Sequence, residues 1–460
     1  MSPGMSPLLL FGSPRIGEPH RELVGSQFAL ASANVIRPMS VVFEPRRPHP
    51  LMRTTSECPP RSRATDFFMD SSNSPVRPSR QYHGSTPPSV APIYQTTAFD
   101  IDDLNHLNWL VKGEADGYIY TRDGNPNQDA FAKSVAQLEG AEAGFVSGSG
   151  MGSLSAVTLS HVKAGDHVIV AEVVYGRSLQ MFRRLRDDFG VNVSFVDACN
   201  PAAFAEARTP ETKLAFVESV SNPLLEVIDI PAIVGALGDV PLLVDSTFST
   251  PCLLRPIEHG ATLVRHSASK YLSGHGDVTM GVVVGPETVI NASSETASVF
   301  GNHAGPFECW LASRGLRTLE LRMQRVSETA QKVAEFLEAH KGVSRVLYPG
   351  LRNHETHDIA CRLLPNGFGG MLSFEIRDGD FDAVSGFMRG ATDIPFSPTL
   401  ADPATTISHP ATTSHRALSP EERQRFGVTD GLVRLSIGLE SADLLIREID
   451  AALSVAGRGQ

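Results

Sequence analysis

Residues 261–285 read ATLVRHSASKYLSGHGDVTMGVVVG. Two runs of strand length, ATLVRHS (261–267) and VTMGVVVG (278–285), flank a loop of small polar residues. One lysine, Lys270, stands in that loop beside Ser267, Ser269, Ser273 and Gly274. A lysine so placed is either a solvated charge at a strand end or a nucleophile whose amine is kept neutral by its surroundings. The residues of the loop do not decide between the two.

Working outward, short apolar runs recur upstream: HVIVAE (167–172), VNVSFVD (191–197), KLAFVES (213–219) and PLLVDS (241–246). Amphipathic stretches such as GRSLQMFRRLRDDFG (176–190) separate them, and QDAFAKSVAQLEG (128–140) has helical spacing closed by Gly140. Strands alternating with helices imply a mostly parallel sheet covered on both faces, an α/β domain over 128–315. Beyond residue 316 the rhythm changes. One long helix is expected over 316–340, then VSRVLYP (343–349), GGMLSFEI (369–376), a helix near 380–389, LVRLSIG (432–438) and a last helix over 441–454. That pattern predicts a smaller α+β domain over 316–460.

Composition narrows the class. The chain has 460 residues, 41% apolar and 20% charged, as in ordinary globular enzymes. A net charge of −11 lacks the basic footprint of a nucleic-acid binder. No apolar run reaches the roughly 18–20 residues of a membrane span. Five scattered cysteines, with no CxxC pair, point to a reducing, cytoplasmic setting. Residues 1–80 are rich in Pro, Ser and Arg and are expected to form a disordered extension. Five acids (Glu18, Glu22, Glu44, Glu57, Asp66) make them a poor transit peptide, and Met69 is an alternative start.

Ligands of open α/β sheets gather at the carboxyl ends of the strands. Polar residues stand at several such ends: Glu218 and Asn222 after LAFV, Asp245 after LLV, and the serine–lysine cluster after ATLV. SASK also fits the Ser-x-x-Lys pattern of acyl-enzymes, but the companion tripeptides Ser-Asp-Asn and Lys-Thr-Gly are absent. Asp245 either caps a turn or faces a protonated pyridine nitrogen. SGSGMGS (147–153), ahead of a helix, is a weak dinucleotide fingerprint but a plausible phosphate cradle. Arg434, inside an apolar strand, needs a partner: an internal acid or a ligand carboxylate. Tyr175 is either core or a stacking ring. His354, His357 and Cys361 lack a fourth ligand at natural spacing, so no metal is expected; HPATTSH (409–415) is read as a polar loop.

Together these residues resemble the Cys/Met-metabolism family of pyridoxal 5'-phosphate (PLP) enzymes: cystathionine γ-synthase, cystathionine γ- and β-lyases, methionine γ-lyase and homoserine sulfhydrylases. The resemblance runs from APIYQTTAF (91–99) nearly to the C-terminus, with HSASKYLSGHGDVTMG (266–281) as its signature. It implies the PLP-dependent transferase type I (aspartate aminotransferase-like) fold. It also implies that Lys270 carries PLP as an internal aldimine. Ser267 and Ser269, with the backbone at Gly150 and Met151, would hold the phosphate. Asp245 would pair with the ring nitrogen, Thr247 being retained beside it. Tyr175 would stack on the ring and assist proton transfer, Asn222 would contact the phenolic oxygen, and Arg434 would clamp the substrate α-carboxylate. Tyr120 and Arg122, in YTRDGNP (120–126), would reach the phosphate of a neighbouring subunit across an N-terminal arm, 81–127. A dimer at least, usually a tetramer, follows from that resemblance.

The chain departs from the family's pattern where substrate is chosen. PTLADPAT (398–405) replaces Glu-Ser-Leu-Gly-Gly-x-Glu-Ser. Pro398 stands where cystathionine-handling members carry an acid, Ala404 replaces the second acid, and Thr399 replaces the serine near the carboxylate. Arg177 stands where methionine γ-lyases carry cysteine, and Ser246 replaces an asparagine. The expectation is γ-replacement or elimination on a sulfur amino acid or an O-acylhomoserine, cystathionine γ-synthase- or γ-lyase-like. The alternatives are methionine γ-lyase, O-acylhomoserine sulfhydrylase, cystathionine β-lyase, or a PLP-binding regulatory protein with little turnover.

Overall fold

The computed structural model describes Thr86 and residues 88–456. The expected extension 1–80 and the start of the 81–127 arm lie outside the described residues. Within them a seven-stranded sheet is built from β1 (Ala143–Ser147), β2 (His167–Ala171), β3 (Asn192–Val196), β4 (Thr212–Glu218), β5 (Leu242–Asp245), β6 (Leu263–Ser267) and β7 (Gly281–Gly285). Its order is β1-β7-β6-β5-β4-β2-β3. Every pair from β6 to β3 is parallel; β7 runs against both β1 and β6. Strands such as HVIVA are buried throughout because helices cover both faces, which explains their unbroken apolar runs.

Helices pack on this sheet at boundaries marked by local chemistry. Helix α1 (Leu104–Lys112) precedes α2 (Pro126–Glu139). Asn125 caps α2 by accepting from Asn127 N–H, Pro126 opens it, and Gly140 closes it at φ 72°. Helix α3 (Gly150–His161) begins where Ser149 Oγ accepts the Gly152 N–H, and α4 (Gly176–Phe189) follows Tyr175. Strand β1 carries no clear period: AGFVS is short, half-buried at its start, and takes its conformation from pairing with β7.

A second, antiparallel sheet of order β10-β11-β9-β8 uses β8 (Val343–Leu347), β9 (Met371–Ile376), β10 (Thr406–Ser408) and β11 (Leu432–Ser436). The long helix expected over 316–340 is found over Leu319–Ala339, and a break at Arg317–Thr318 separates it from a further helix, Pro306–Leu316, that the sequence reading did not include. Burial explains the break. Arg322 turns in beneath the loop after Lys270, donating to the carbonyls of Tyr271 (2.6 Å), Gly315 (2.8 Å) and Leu272 (3.5 Å), while its Nε donates to Thr318 Oγ1. The glycine of the YLSGHG loop is required there. Gly274 has φ 66°, and a Cβ on it would lie 1.9 Å from Arg322 Nη1. Arg322 thus ties the lysine loop to the helix that starts the second half of the chain.

Candidate active site

The carboxyl ends of β4, β5 and β6 open into a cavity of about 790 Å³, closed on its other side by residues 396–417 and Arg434 of β11. Ten of the sequence-predicted residues line it: Gly150, Met151, Tyr175, Asn222, Asp245, Thr247, Ser267, Ser269, Lys270 and Arg434. An eleventh, Thr399, bonds two of them.

Lys270 Nζ donates to Thr399 Oγ1 at 2.9 Å. Burial, and next the Arg434 guanidinium, lower its pKa below the ordinary lysine value; Asp402 works the other way. Arg434 is 4% exposed. Its Nη1 donates to Asn222 Oδ1 (2.9 Å) and its Nη2 to the Thr399 carbonyl (3.2 Å), while Nε is buried with no partner. Burial brings its pKa down to about 10. No carboxylate among the described residues forms an ion pair with it, so the internal salt bridge open from sequence is not found. A buried guanidinium held only by neutral acceptors is suited to receive a carboxylate in its planar fork.

Asp245 is fixed from both sides. Its Oδ1 accepts from Thr247 N–H (3.0 Å) and Thr247 Oγ1 (2.5 Å), and its Oδ2 accepts from Arg265 Nη1 (2.5 Å). On the next strand, Glu218 Oε1 accepts the Tyr175 N–H at 2.6 Å. Burial, and then the neighbouring Asp245 carboxylate, push Glu218 above the usual carboxylate range. Tyr175 itself is exposed to the cavity.

At the start of α3, the first intrahelical bond is Ser153 N–H to Ser149 O, and Ser149 Oγ takes the Gly152 N–H. The amides of Gly150 and Met151 therefore precede the helical ladder, at its electropositive end. Ser267 faces them: a Cβ on Gly150 would lie 2.9 Å from Ser267 Cβ and 2.6 Å from Arg265 Nη2. The bare glycine leaves this corner open. Ser269 also lines the cavity, but its hydroxyl exchanges bonds with Met280, accepting from N–H (2.9 Å) and donating to O (3.3 Å). Tyr120 and Arg122 are exposed, pack on each other (5.2 Å) and do not line this chain's cavity.

The donor set fits PLP. A helix N-terminus with an open glycine corner suits a phosphate, a strand-end carboxylate suits a ring nitrogen, and an amine of lowered pKa suits an aldehyde. Sequence reading missed Arg265, although an arginine inside ATLVRHS, two residues before Ser267 and so on the same strand face, was the available signal. It also left HPATTSH as an unassigned polar loop; Thr412, Thr413 and Ser414 line the cavity. His354 and His357 lie apart from it, bonding the Leu224 and Pro349 carbonyls.

Comparison with known proteins agrees with this chemistry. A family model described as Cys/Met metabolism PLP-dependent enzyme matches residues 74–454. An L-methionine gamma-lyase of Porphyromonas gingivalis is 38% identical over 371 residues, 79% of this chain and 92% of the relative. An O-succinylhomoserine sulfhydrylase of Pseudomonas aeruginosa is 40% identical over 74% of this chain and 85% of its own length. A crystal structure of cystathionine gamma synthase from Xanthomonas oryzae pv. oryzae, in complex with aminoacrylate and cysteine, superimposes with a TM-score of 0.79 at 34% identity, covering 84% of this chain and 98% of that one. The chain belongs to the Cys/Met-metabolism family of PLP-dependent enzymes. Its fold is the type I fold expected from the sequence, and it is a PLP-dependent trans-sulfuration enzyme.

Proposed function

We propose that this enzyme carries out γ-replacement on an O-acylhomoserine, with Arg434 as the anchor of the substrate's α-carboxylate. The observation that carries the reading is the buried guanidinium of Arg434, unpaired by any acid among the described residues and joined through Thr399 to the Lys270 amine. An amino-acid carboxylate seated there would bring its Cα to the lysine. Bound PLP supplies the electron sink that makes a proton at Cα removable. The chain supplies the rest. Lys270, its pKa lowered, would take the Cα proton and return it; Thr399 Oγ1 would hold Nζ in place; the Tyr175 phenol would assist proton transfer above the ring. Gly150, Met151, Ser267 and Ser269 would hold phosphate, Asp245 with Thr247 the ring nitrogen, and Asn222, whose Oδ1 is taken by Arg434, the phenolic oxygen through Nδ2.

The solvent side of the cavity supports an acylhomoserine over cystathionine or methionine. Arg177 and Arg416 stand exposed there, and the carboxylates lining the cavity, Glu218 and Asp245, are both buried. The carboxylates lining the cavity are buried rather than turned to a distal ammonium, and the exposed arginines favour an acidic acyl group. The test is a substrate panel. Release of succinate from O-succinylhomoserine in the presence of a thiol, outpacing 2-oxo acid release from methionine and cystathionine, is the expected result. Faster breakdown of methionine would move the reading to a γ-lyase, and inertness on the whole panel would favour a regulatory protein.

A dimer, and a tetramer of two such dimers, is part of the proposal. Leu104, Trp109 and Val111 leave α1 with exposed apolar side chains and no buried residue, and Tyr120 and Arg122 stand at the surface, outside this chain's own cavity, where they could serve a second copy. A cytoplasmic setting is kept as an expectation. Among the described residues no helix is long and apolar enough to cross a membrane.

A further inference from the structure

Three charged residues occupy one row of the large sheet. Glu218 of β4 is the register partner of Asp245 of β5, and Asp245 that of Arg265 of β6. Parallel in-register neighbours point to the same face, so the row reads acid, acid, base along the floor of the cavity. Its two ends are bound differently: Glu218 caps the Tyr175 amide, and Arg265 takes Asp245 Oδ2 at 2.5 Å, with only 3% and 9% of the two side chains exposed. Arg265 Nε, also buried, has no hydrogen-bond partner among the described residues, and its Nη2 lies close beside Gly150, where a Cβ would come within 2.6 Å of it.

We propose that Arg265 is a positioning residue of the cofactor site that competes with the ring nitrogen of bound PLP for the Asp245 carboxylate, loosening that nitrogen's hold on its proton. This rests on the assignment of Asp245 to the ring nitrogen. With Thr247 supplying two donors to Oδ1 and Arg265 one to Oδ2, the carboxylate meets the ring already neutralised. An ion pair so close and so buried attenuates the attraction between the carboxylate and a third, cationic partner. The other charged or titratable groups facing this point are Glu218 from β4, Tyr175 ahead of α4, Lys270 from the loop after β6, and Arg434 from β11. Arg265 contributes no proton and touches no reacting atom; it acts through Asp245.

The test uses holoenzyme loaded with PLP labelled with nitrogen-15 in the ring, and follows the ring-nitrogen chemical shift against pH. In Arg265→Leu, and in the less disruptive Arg265→Gln, the midpoint at which the ring nitrogen loses its proton should rise by about one pH unit or more over wild type, while Arg265→Lys stays near wild type. In Asp245→Asn the midpoint should fall. If both neutral variants at 265 titrate like wild type while Asp245→Asn responds, the role of Arg265 is overturned and the assignment of Asp245 stands. If Asp245→Asn leaves the shift unmoved, the assignment of Asp245 fails and takes this inference with it.

Discussion

The two walls of the cavity treat their arginines in opposite ways. On the large-sheet wall, Arg265 is paired with Asp245 inside the protein. On the small-sheet wall, Arg434 is as deeply buried but holds only an amide oxygen and a backbone carbonyl. Leaving a charge buried without a counter-ion is costly unless something else supplies one. On the proposed assignment the difference divides the labour: the first wall, its carboxylate paired within the chain, would prepare the cofactor end, and the second, one anion short, would receive the substrate. The amine of Lys270 lies where the walls meet, fixed to the small-sheet side through Thr399.

If the meeting point is Lys270, removing it should produce the largest effect. Lys270→Ala should lower kcat by at least about 10²–10⁴-fold and abolish the visible absorbance of the bound cofactor; retention of that absorbance would place the cofactor on another lysine. The unpaired wall comes next. Arg434→Ala should lower kcat/KM by about 10- to 100-fold, as expected for a lost charge-assisted hydrogen bond to substrate, with most of the change in KM. A variant with unchanged KM would mean that the α-carboxylate binds elsewhere. The seam that carries the lysine loop is probed by Gly274→Ala, where φ 66° and the nearby Arg322 both oppose a methyl group. It should cost about 1–3 kcal/mol of stability, read as a shift of the urea midpoint; a neutral result would show that Arg322 moves aside freely.

The smallest effect is one of pH. Because burial and Arg434 lower the pKa of Lys270, its free, nucleophilic amine is present below the ordinary lysine value of about 10.4. The rate at which apoprotein captures added PLP should therefore rise with pH and level off below that value. In Arg434→Gln one lowering cause is gone, so the midpoint should move up. A midpoint that stays in place would show that the walls do not communicate through charge. The sign for stability is the same: in the window between the lowered folded value and the unfolded one, the unfolded chain binds more protons, so this lysine favours folding as pH rises.

The two walls also differed in how far they could be read from the chain. The large-sheet wall was legible because its strands are continuous apolar runs that stop on a polar residue, as LLV stops on Asp245. Arg265 escaped notice because its partner ends the preceding strand, 20 residues upstream, and only the parallel register sets them side by side. The small-sheet wall was less legible. Arg434 stood out as an arginine in an apolar strand, but the three-residue β10 and the loop through Thr412–Ser414 have no local period; β10 is set by its ladder with β11 and the loop by its bonds to His409. The long helix expected over 316–340 stands at Leu319–Ala339, but the shorter helix before it, Pro306–Leu316, was not legible: Arg317–Thr318 has no helix-breaking residue to mark a boundary, and Arg322 takes its seat under the Lys270 loop just past that break.

The central claim is that Lys270 holds the cofactor in this cavity. Holoenzyme reduced with borohydride and digested should yield, by peptide mass mapping, a single phosphopyridoxyl adduct on Lys270. An adduct on any other lysine, or none in protein that has visibly bound PLP, would contradict it.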